Sequence, residues 1–268
     1  MKKMIKITYA VTVCNEEEEF RDLMDCLLEN INPTESEILI QIDSSNTTDE
    51  IRKYADLYLN SFGMDDSYTI TVTEFPLNKN FANFKNNLFA HAHGEWIFQL
   101  DADELPPEKV LQNIDEVINN ADNENIDCII FPRINIVEGI TEYLVNKWKW
   151  NLGKLQLDEM VVEKEASDIP PEYYQTLEKF NFIIETNGNV VKYYQPVINF
   201  PDYQMRMYRN NGKLKWVGKV HEKIEAIDGS KVEAGALSQQ IEVCITHNKN
   251  IDRQIKQNDF YKQLLGNG

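Results

Sequence analysis

No stretch of this sequence approaches the roughly 20 consecutive apolar residues that a bilayer-spanning helix needs, so no segment reads as a membrane span. Basic residues are scarce: 27 Lys and Arg stand against 44 Asp and Glu, a formal net charge of -17. A surface that acidic repels phosphate backbones and anionic lipid, which sets aside loose electrostatic binding of nucleic acid. It leaves room for an anionic small molecule where a metal ion screens the charge locally. Cysteine is sparse as well. Cys14, Cys26, Cys128 and Cys244 lie far apart with no C-x-x-C pair and among apolar neighbours, the pattern of reduced core thiols in a cytoplasmic protein. A glycine-rich phosphate loop is missing after the first predicted strand, where Asn15-Glu16-Glu17 stands instead. The start, Met1-Lys2-Lys3 and an apolar run, is interrupted by Lys6 and has no small-residue cleavage site. It reads as a first buried strand rather than a signal peptide.

What the 268 residues do contain is a regular alternation of two hydrophobic periods. Residues 5–14 are rich in β-branched side chains and predict a strand. Phe20, Leu23, Met24, Leu27, Leu28 and Ile31 then recur at helical spacing, behind a run of glutamates suited to the positive end of a helix dipole. The same order repeats: strand Ile38 to Ile42 with a helix through Ile51 to Tyr58, strand Tyr68 to Phe75 with a helix from Phe81 to Ala92, and strand Gly94 to Leu100. The pattern predicts an α/β fold with a doubly wound, mainly parallel sheet. Further on it predicts a helix over 110–118, a strand over 127–132, short strands at 205–208, 214–217 and 241–245, and a closing helix over 252–265. Residues 138–200 show no clean period and read as an irregular elaboration of the same domain. The expected division is 1–110 for one half and 111–268 for the other.

Doubly wound sheets bind ligands where loops leave the carboxyl ends of strands, and Asn15, Asp43 and Asp101 all take such positions. Asp101-Ala102-Asp103-Glu104 is the strongest local signal. In an extended segment residues i and i+2 share a side, so Asp101 and Asp103 can converge on one hard divalent cation. The competing structural reading makes Asp103 a cap for the helix after Pro106-Pro107. His221-Glu222 follows Trp216-Val217, where a carboxylate at a partly apolar cleft edge is suited to act as a general base; an exposed pair between Lys219 and Lys223 is the alternative. Arg206 and Arg209 suit phosphate or carboxylate partners. His91 and His93 read as structural, and the glutamates from Glu16 to Glu19 mostly as a solvated helix start, with a functional claim for Glu16 alone. Trp148, Trp150, Tyr173, Tyr174, Tyr193 and Tyr194 suit either packing or a sugar-stacking platform.

In order along the chain, Val11-Thr12-Val13-Cys14-Asn15-Glu16, Asp43-Ser44-Ser45, Lys85-Asn86 and Asp101-Ala102-Asp103 resemble the signature elements of the family 2 glycosyltransferases of the GT-A fold. Met205-Arg206-Met207-Tyr208-Arg209, Gly218-Lys219-Val220-His221-Glu222 and Ile245-Thr246-His247 match the later ones. Two departures stand out: Cys14 takes the place of an aromatic residue found in many members, and Asp43 is followed by two serines rather than a second acid. The resemblance implies an inverting transfer of sugar from a nucleoside-diphosphate sugar, a UDP-sugar foremost, to a hydroxyl of a glycan, lipid-linked or protein acceptor. It implies nucleotide-sugar contacts from Thr12, Asn15, Glu16, Asp43, Lys85, Asp101 and Ala102, with Asp43 on the base and Lys85 near the base or diphosphate. A Mn²⁺ or Mg²⁺ ion would be held by Asp101, Asp103 and a histidine, His247 or His221, and Glu222 would be the catalytic base. A sugar nucleotidyltransferase and a non-catalytic nucleotide-sugar-binding module remain the alternative readings. Against the first stands the missing glycine-rich loop.

Overall fold

A computed structural model of the chain describes residues 4–63, 68–161, 183–187 and 190–264. It divides into two compact units, residues 1–132 with 203–245 and residues 133–202 with 246–268. The three boundaries, after residues 132, 202 and 245, lie inside strands that begin in one unit and end in the other. A strand that runs on shows no punctuation in sequence.

The first unit begins with the expected alternation: β1 (Ile7–Val13), α1 (Glu17–Asn30), β2 (Ser36–Asp43), α2 (Asp49–Tyr58), β3 (Thr69–Phe75), α3 (Phe81–His91) and β4 (Trp96–Asp101). The strands lie in the order β3-β2-β1-β4, all parallel. Their side chains alternate between two apolar layers. Tyr9, Val11, Ile38, Ile40, Phe98 and Leu100 pack with Phe20, Leu23, Met24 and Leu27 of α1. Ala10, Leu39 and Ile97 pack on the other face with Ala82 and Leu88 of α3. Both faces are covered, which is why these strands read as near-continuous hydrophobic runs. Gly94 sits so close to the start of β1 that a Cβ there would lie 2.5 Å from the Thr8 backbone nitrogen, and its N–H donates to Thr8 Oγ1 at 2.9 Å. That close approach sets the entry of β4 beside β1.

After β4 come a two-residue strand β5 (Glu104–Leu105), helices α4 (Glu108–Gln112) and α5 (Ile114–Asn123), and β6 (Cys128–Glu138), whose first residues pair with a short strand at Ala234–Ala236. The single helix expected over 110–118 is thus two, parted at Asn113, whose side-chain amide donates to the Lys109 carbonyl and takes the chain out of helical geometry. In the second unit, α6 (Glu142–Trp148), β7 (Leu152–Val161) and β8 (Ile183–Asn187) precede β9 (Val190–Arg209), a 20-residue strand with which β7 and β8 pair antiparallel. The segment expected to be irregular therefore contains long strands. The end of β9 returns to the first unit and pairs antiparallel with β4, Phe98 opposite Met207. It leads to the hairpin β10 (Leu214–Val217) and β11 (Lys223–Ala226). The strand expected at 241–245 is a 3₁₀ turn, Ile241–Val243, and pairing begins only at Ile245. Helix Ile251–Leu264 closes the described chain. None of the described helices is long and apolar enough to cross a membrane. None of the four cysteines, all of them among the described residues, forms a disulfide.

Candidate functional site

Strand register brings the predicted residues of the first unit to one edge. Thr12 lies opposite Asp101 across β1 and β4, and Val13 opposite Ile42 across β1 and β2, so Asp43 ends β2 one residue further on. The ladder continues past β4, since the Ala102 N–H donates to the Thr12 carbonyl at 2.9 Å. Thr12 Oγ1 donates to Asp101 Oδ1 at 2.7 Å.

Asp43 is buried and heavily hydrogen-bonded by its own loop. Its Oδ1 accepts from the Ser45 N–H (3.0 Å), the Ser45 hydroxyl (2.6 Å) and the Leu77 N–H (2.9 Å), and its Oδ2 from Asn46 (3.1 Å). Burial pushes its carboxyl pKa up, but the donors from Ser45, Leu77 and Asn46 outweigh it and leave the group below the usual aspartate value. Of the two serines in place of a second acid, Ser45 serves Asp43 itself, while the Ser44 N–H donates to the Phe75 carbonyl at 3.2 Å. Cys14 Sγ lies 3.7 Å from Oδ2, a weak contact on the side of the carboxylate with fewer strong donors. Glu16 turns back, its carboxylate accepting from the N–H groups of Cys14 (2.7 Å) and Asn15 (3.0 Å). It shapes the loop after β1, and Asn15 is exposed at its tip.

Asp101 is met from the far side by Arg206, which arrives near the end of β9. One guanidinium nitrogen lies 2.9 Å from Asp101 Oδ2 and 2.5 Å from Glu104 Oε1. Glu104 and Arg206 are both buried. Burial lowers the arginine pKa, yet Glu104 and then Asp101 outweigh it, with Glu222 adding to them, and the net shift is upward. Arg206 is thus the internal counter-ion of two acids, one of them in the D-x-D segment. The sequence weighed a carboxylate partner for it but not this one; the apolar neighbours Met205 and Met207 are the signal that a charge here faces inward. Arg209 also meets a carboxylate, Asp122, at 2.6 Å.

Asp103 does not cap the following helix. The residue preceding α4 is Pro107, with no side-chain cap bond. Asp103 is half-buried, and its charge is felt at Glu19 on α1, whose carboxyl pKa is raised first by burial and then by Asp103, Glu18 and Asp22. Glu19 was read in sequence as solvated, because a glutamate run at a helix start carries no sign of what lies over it. Among the described residues no three His, Cys, Asp or Glu side chains are gathered into a metal cage.

Helix α3 and the β10–β11 hairpin build the other side. Asn86 clamps Trp216 by two bonds, Nδ2 to the Trp216 carbonyl and Oδ1 from the Trp216 N–H, each 2.9 Å. The Phe81 N–H donates to the Lys219 carbonyl at 3.1 Å. Gly218 and His221 take left-handed backbone conformations, φ 100° and 54°, and so turn the chain back to deliver Glu222. Lys85, buried, lies 4.4 Å from the Trp216 ring centroid and makes an ion pair with the Glu222 carboxylate. His221 is exposed.

His247 belongs to the second unit, where it is buried and its Nδ1 lies 2.7 Å from Asn135 Oδ1. The rings of Trp148 and Trp150 stand 4.7 Å apart. Tyr173 and Tyr174 lie outside the described residues, as does the Tyr193 side chain. His91 and His93 are structural as expected: His91 contacts the Asn87 carbonyl, and the His93 N–H and ring both meet buried Glu37.

A mainly parallel sheet covered on both faces, with acids at its carboxyl edge and a turn supplying a further carboxylate, is the GT-A type of glycosyltransferase fold. The glycosyl transferase family 2 model matches residues 8–207, and the chain belongs to that family. Among solved structures, S. aureus TarS 1-349 in complex with UDP-GlcNAc aligns over 91% of this chain and 59% of its own, with 12% identity and a TM-score of 0.50. The same TarS fragment in a second structure aligns over 91% and 60%, again at 12% and 0.50. The chain therefore spans about three fifths of the TarS chain that it matches, and at that identity the likeness is one of fold. Comparison with curated proteins gives no match. The family match ends before Glu222 and His247.

Proposed function

We propose that this protein transfers a sugar from a nucleoside-diphosphate sugar to an acceptor hydroxyl, with inversion and with a divalent cation, Mn²⁺ or Mg²⁺. The observation that carries the reading is that strand register sets Thr12, Asp43 and Asp101 at one carboxyl edge of the sheet in a chain of glycosyl transferase family 2. Glu222, paired with Lys85, is the candidate base. Thr12, Asn15, Asp43 and Ala102 line the nucleotide side, with Glu16 shaping the loop. Asp43 offers Oδ2 to a base N–H, since Oδ1 already accepts three bonds.

Asp101, which accepts from Thr12 and Arg206, holds the segment in place, and Asp103, two residues further on, is the carboxylate assigned to the ion. One carboxylate with phosphate oxygens from the substrate is a usual way to hold Mg²⁺, so the donor set fits a cation that arrives with the nucleotide. When bound, that cation supplies positive charge opposite the leaving diphosphate. Glu222 accepts the proton of the attacking hydroxyl, and Lys85 fixes the carboxylate that does so. Acceptor choice is assigned to residues 138–200.

TarS is described with UDP-GlcNAc, so UDP-sugars head the panel of donors to be tested. Metal-dependent thermal stabilisation would identify the donor, because a ligand that binds only the native state raises its apparent stability. The anomeric configuration of the product, read by NMR, then tests inversion. Asp103→Ala is expected to abolish metal-dependent transfer without unfolding the protein. Wild-type turnover by that variant with a chelator present would remove the cation from the reading.

A further inference from the structure

Beneath the acids of the carboxyl edge, the sheet face that packs on α3 carries buried polar groups. Ala10, Leu39 and Ile97 define that face, and alternation along the strands sets Gln41 of β2 and Gln99 of β4 on it as well. Both glutamines are fully buried. Gln41 Nε2 donates to the Phe84 carbonyl at 2.7 Å. Gln41 Oε1 and both amide atoms of Gln99 have no hydrogen-bond partner among the described residues. The β4–β9 ladder pairs Ile97 with Tyr208 and Phe98 with Met207, so Gln99 and Arg206 are the next residues along it, one from each strand. Tyr208 lies in the same apolar cluster as Ile97, and Arg206, two residues before it, shares its side of the sheet. Arg206 Nη2 donates to Asp101 and Glu104, whereas its Nε–H is buried and meets no acceptor among the described residues.

Buried polar groups are almost always hydrogen-bonded, and leaving a charged donor unpaired is the costliest exception. The unpaired set is balanced in kind. Arg206 Nε and Gln99 Nε2 can only donate, and Gln99 Oε1 and Gln41 Oε1 can only accept. Water accepts from the first kind and donates to the second, and buried water in that role is part of a fold. We propose that a water molecule bound between β4 and β9 accepts from Arg206 Nε–H and donates to Gln99 Oε1, and that Gln99 is thereby a positioning residue for the segment Asp101 to Asp103. The guanidinium is planar, so a bond at Nε fixes the plane in which Nη2 meets Asp101 and Glu104. The polarity also orients the amide: Arg206 gives the water a proton and takes none, so the glutamine oxygen must face the water. The link from Asp101 to a cation rests on the proposed function; the water does not.

A crystal structure of the wild-type full chain, at a resolution that shows ordered water, tests the bridge without any variant. The expected result is one water within hydrogen-bonding distance of both Arg206 Nε and Gln99 Oε1. No water there, or a direct bond between the two side chains, overturns the proposal. Gln99→Leu removes the acceptor with little change of volume, and its structure is expected to lose the water and turn the guanidinium plane. A retained water with unchanged Arg206 geometry overturns the positioning role. In the donor assay Gln99→Leu is expected to raise the Mn²⁺ concentration for half-maximal turnover about 10-fold, the scale on which outer partners tune a metal site, and to leave the acceptor KM unchanged. Loss of folded protein alone does not produce that split. An unchanged Mn²⁺ requirement in Gln99→Leu overturns the positioning role. Wild-type turnover that needs no cation overturns the metal reading instead, and the crystal structure then still decides the water.

Discussion

At the carboxyl edge of β1, β2 and β4, the acids are held by several donors at once. Asp43 accepts from Ser45 twice, from Leu77 and from Asn46, and Asp101 from Thr12 and Arg206. At the corner where α3 meets the β10–β11 hairpin, Glu222 is instead paired with a single ammonium, that of Lys85, and the rigidity lies in the backbone clamps around it. On the proposed function, the first arrangement suits a preorganised binding surface, because its charges are already compensated, and the second suits a proton acceptor, because a carboxylate with one ionic partner stays oriented yet can change partner.

Breaking the corner is expected to have the largest effect. Glu222→Gln should lower turnover by about 10²- to 10⁴-fold in an assay with the donor found by the thermal screen, while donor affinity stays near wild type. Breaking the edge should cost stability. Arg206→Met leaves Glu104 and Asp101 without their buried counter-charge and is expected to destabilise the fold by about 3–5 kcal/mol, measured by urea unfolding. Lys85→Met should lower turnover about 10- to 100-fold, the scale of one charge-assisted hydrogen bond, and cost little more in a Glu222→Gln background. A comparable loss in that background, or a matching loss of donor affinity, would place Lys85 on the nucleotide instead.

The smallest effect is expected at Asp43. Its carboxyl pKa is depressed in the fold, so its contribution to stability is fully present above the unfolded value of about 3.9 and is lost as pH falls through the lower folded value. Asp43→Asn should flatten that part of the acid limb of Tm against pH. An unchanged limb would show that the Asp43 network is no tighter in the fold than water is in the unfolded chain.

Much of the first unit was legible because its strands are buried on both faces and its helices carry a 3.6-residue stripe. Residues 5–14 and 94–100 needed no tertiary information to be recognised as strands. The second unit was less legible. β9 is 20 residues long and passes from one unit to the other, and side-chain period does not record such a passage. The glutamates of α1 illustrate the same limit on a smaller scale. Glu16, Glu17 and Glu19 are alike in sequence, yet one shapes a loop, one accepts from Thr48 and one senses Asp103.

By itself the sequence determined that a parallel α/β sheet would form, that acids would stand at its carboxyl edge and that Asp101, Asp103 and Glu222 were the residues to watch, because period, strand ends and motif order are local properties. Only the tertiary structure decided that Arg206 compensates Asp101 and Glu104 and that Lys85 pairs with Glu222. Those partners arrive from distant positions in the chain, and buried charge is governed by what lies across the gap rather than by what lies next in sequence.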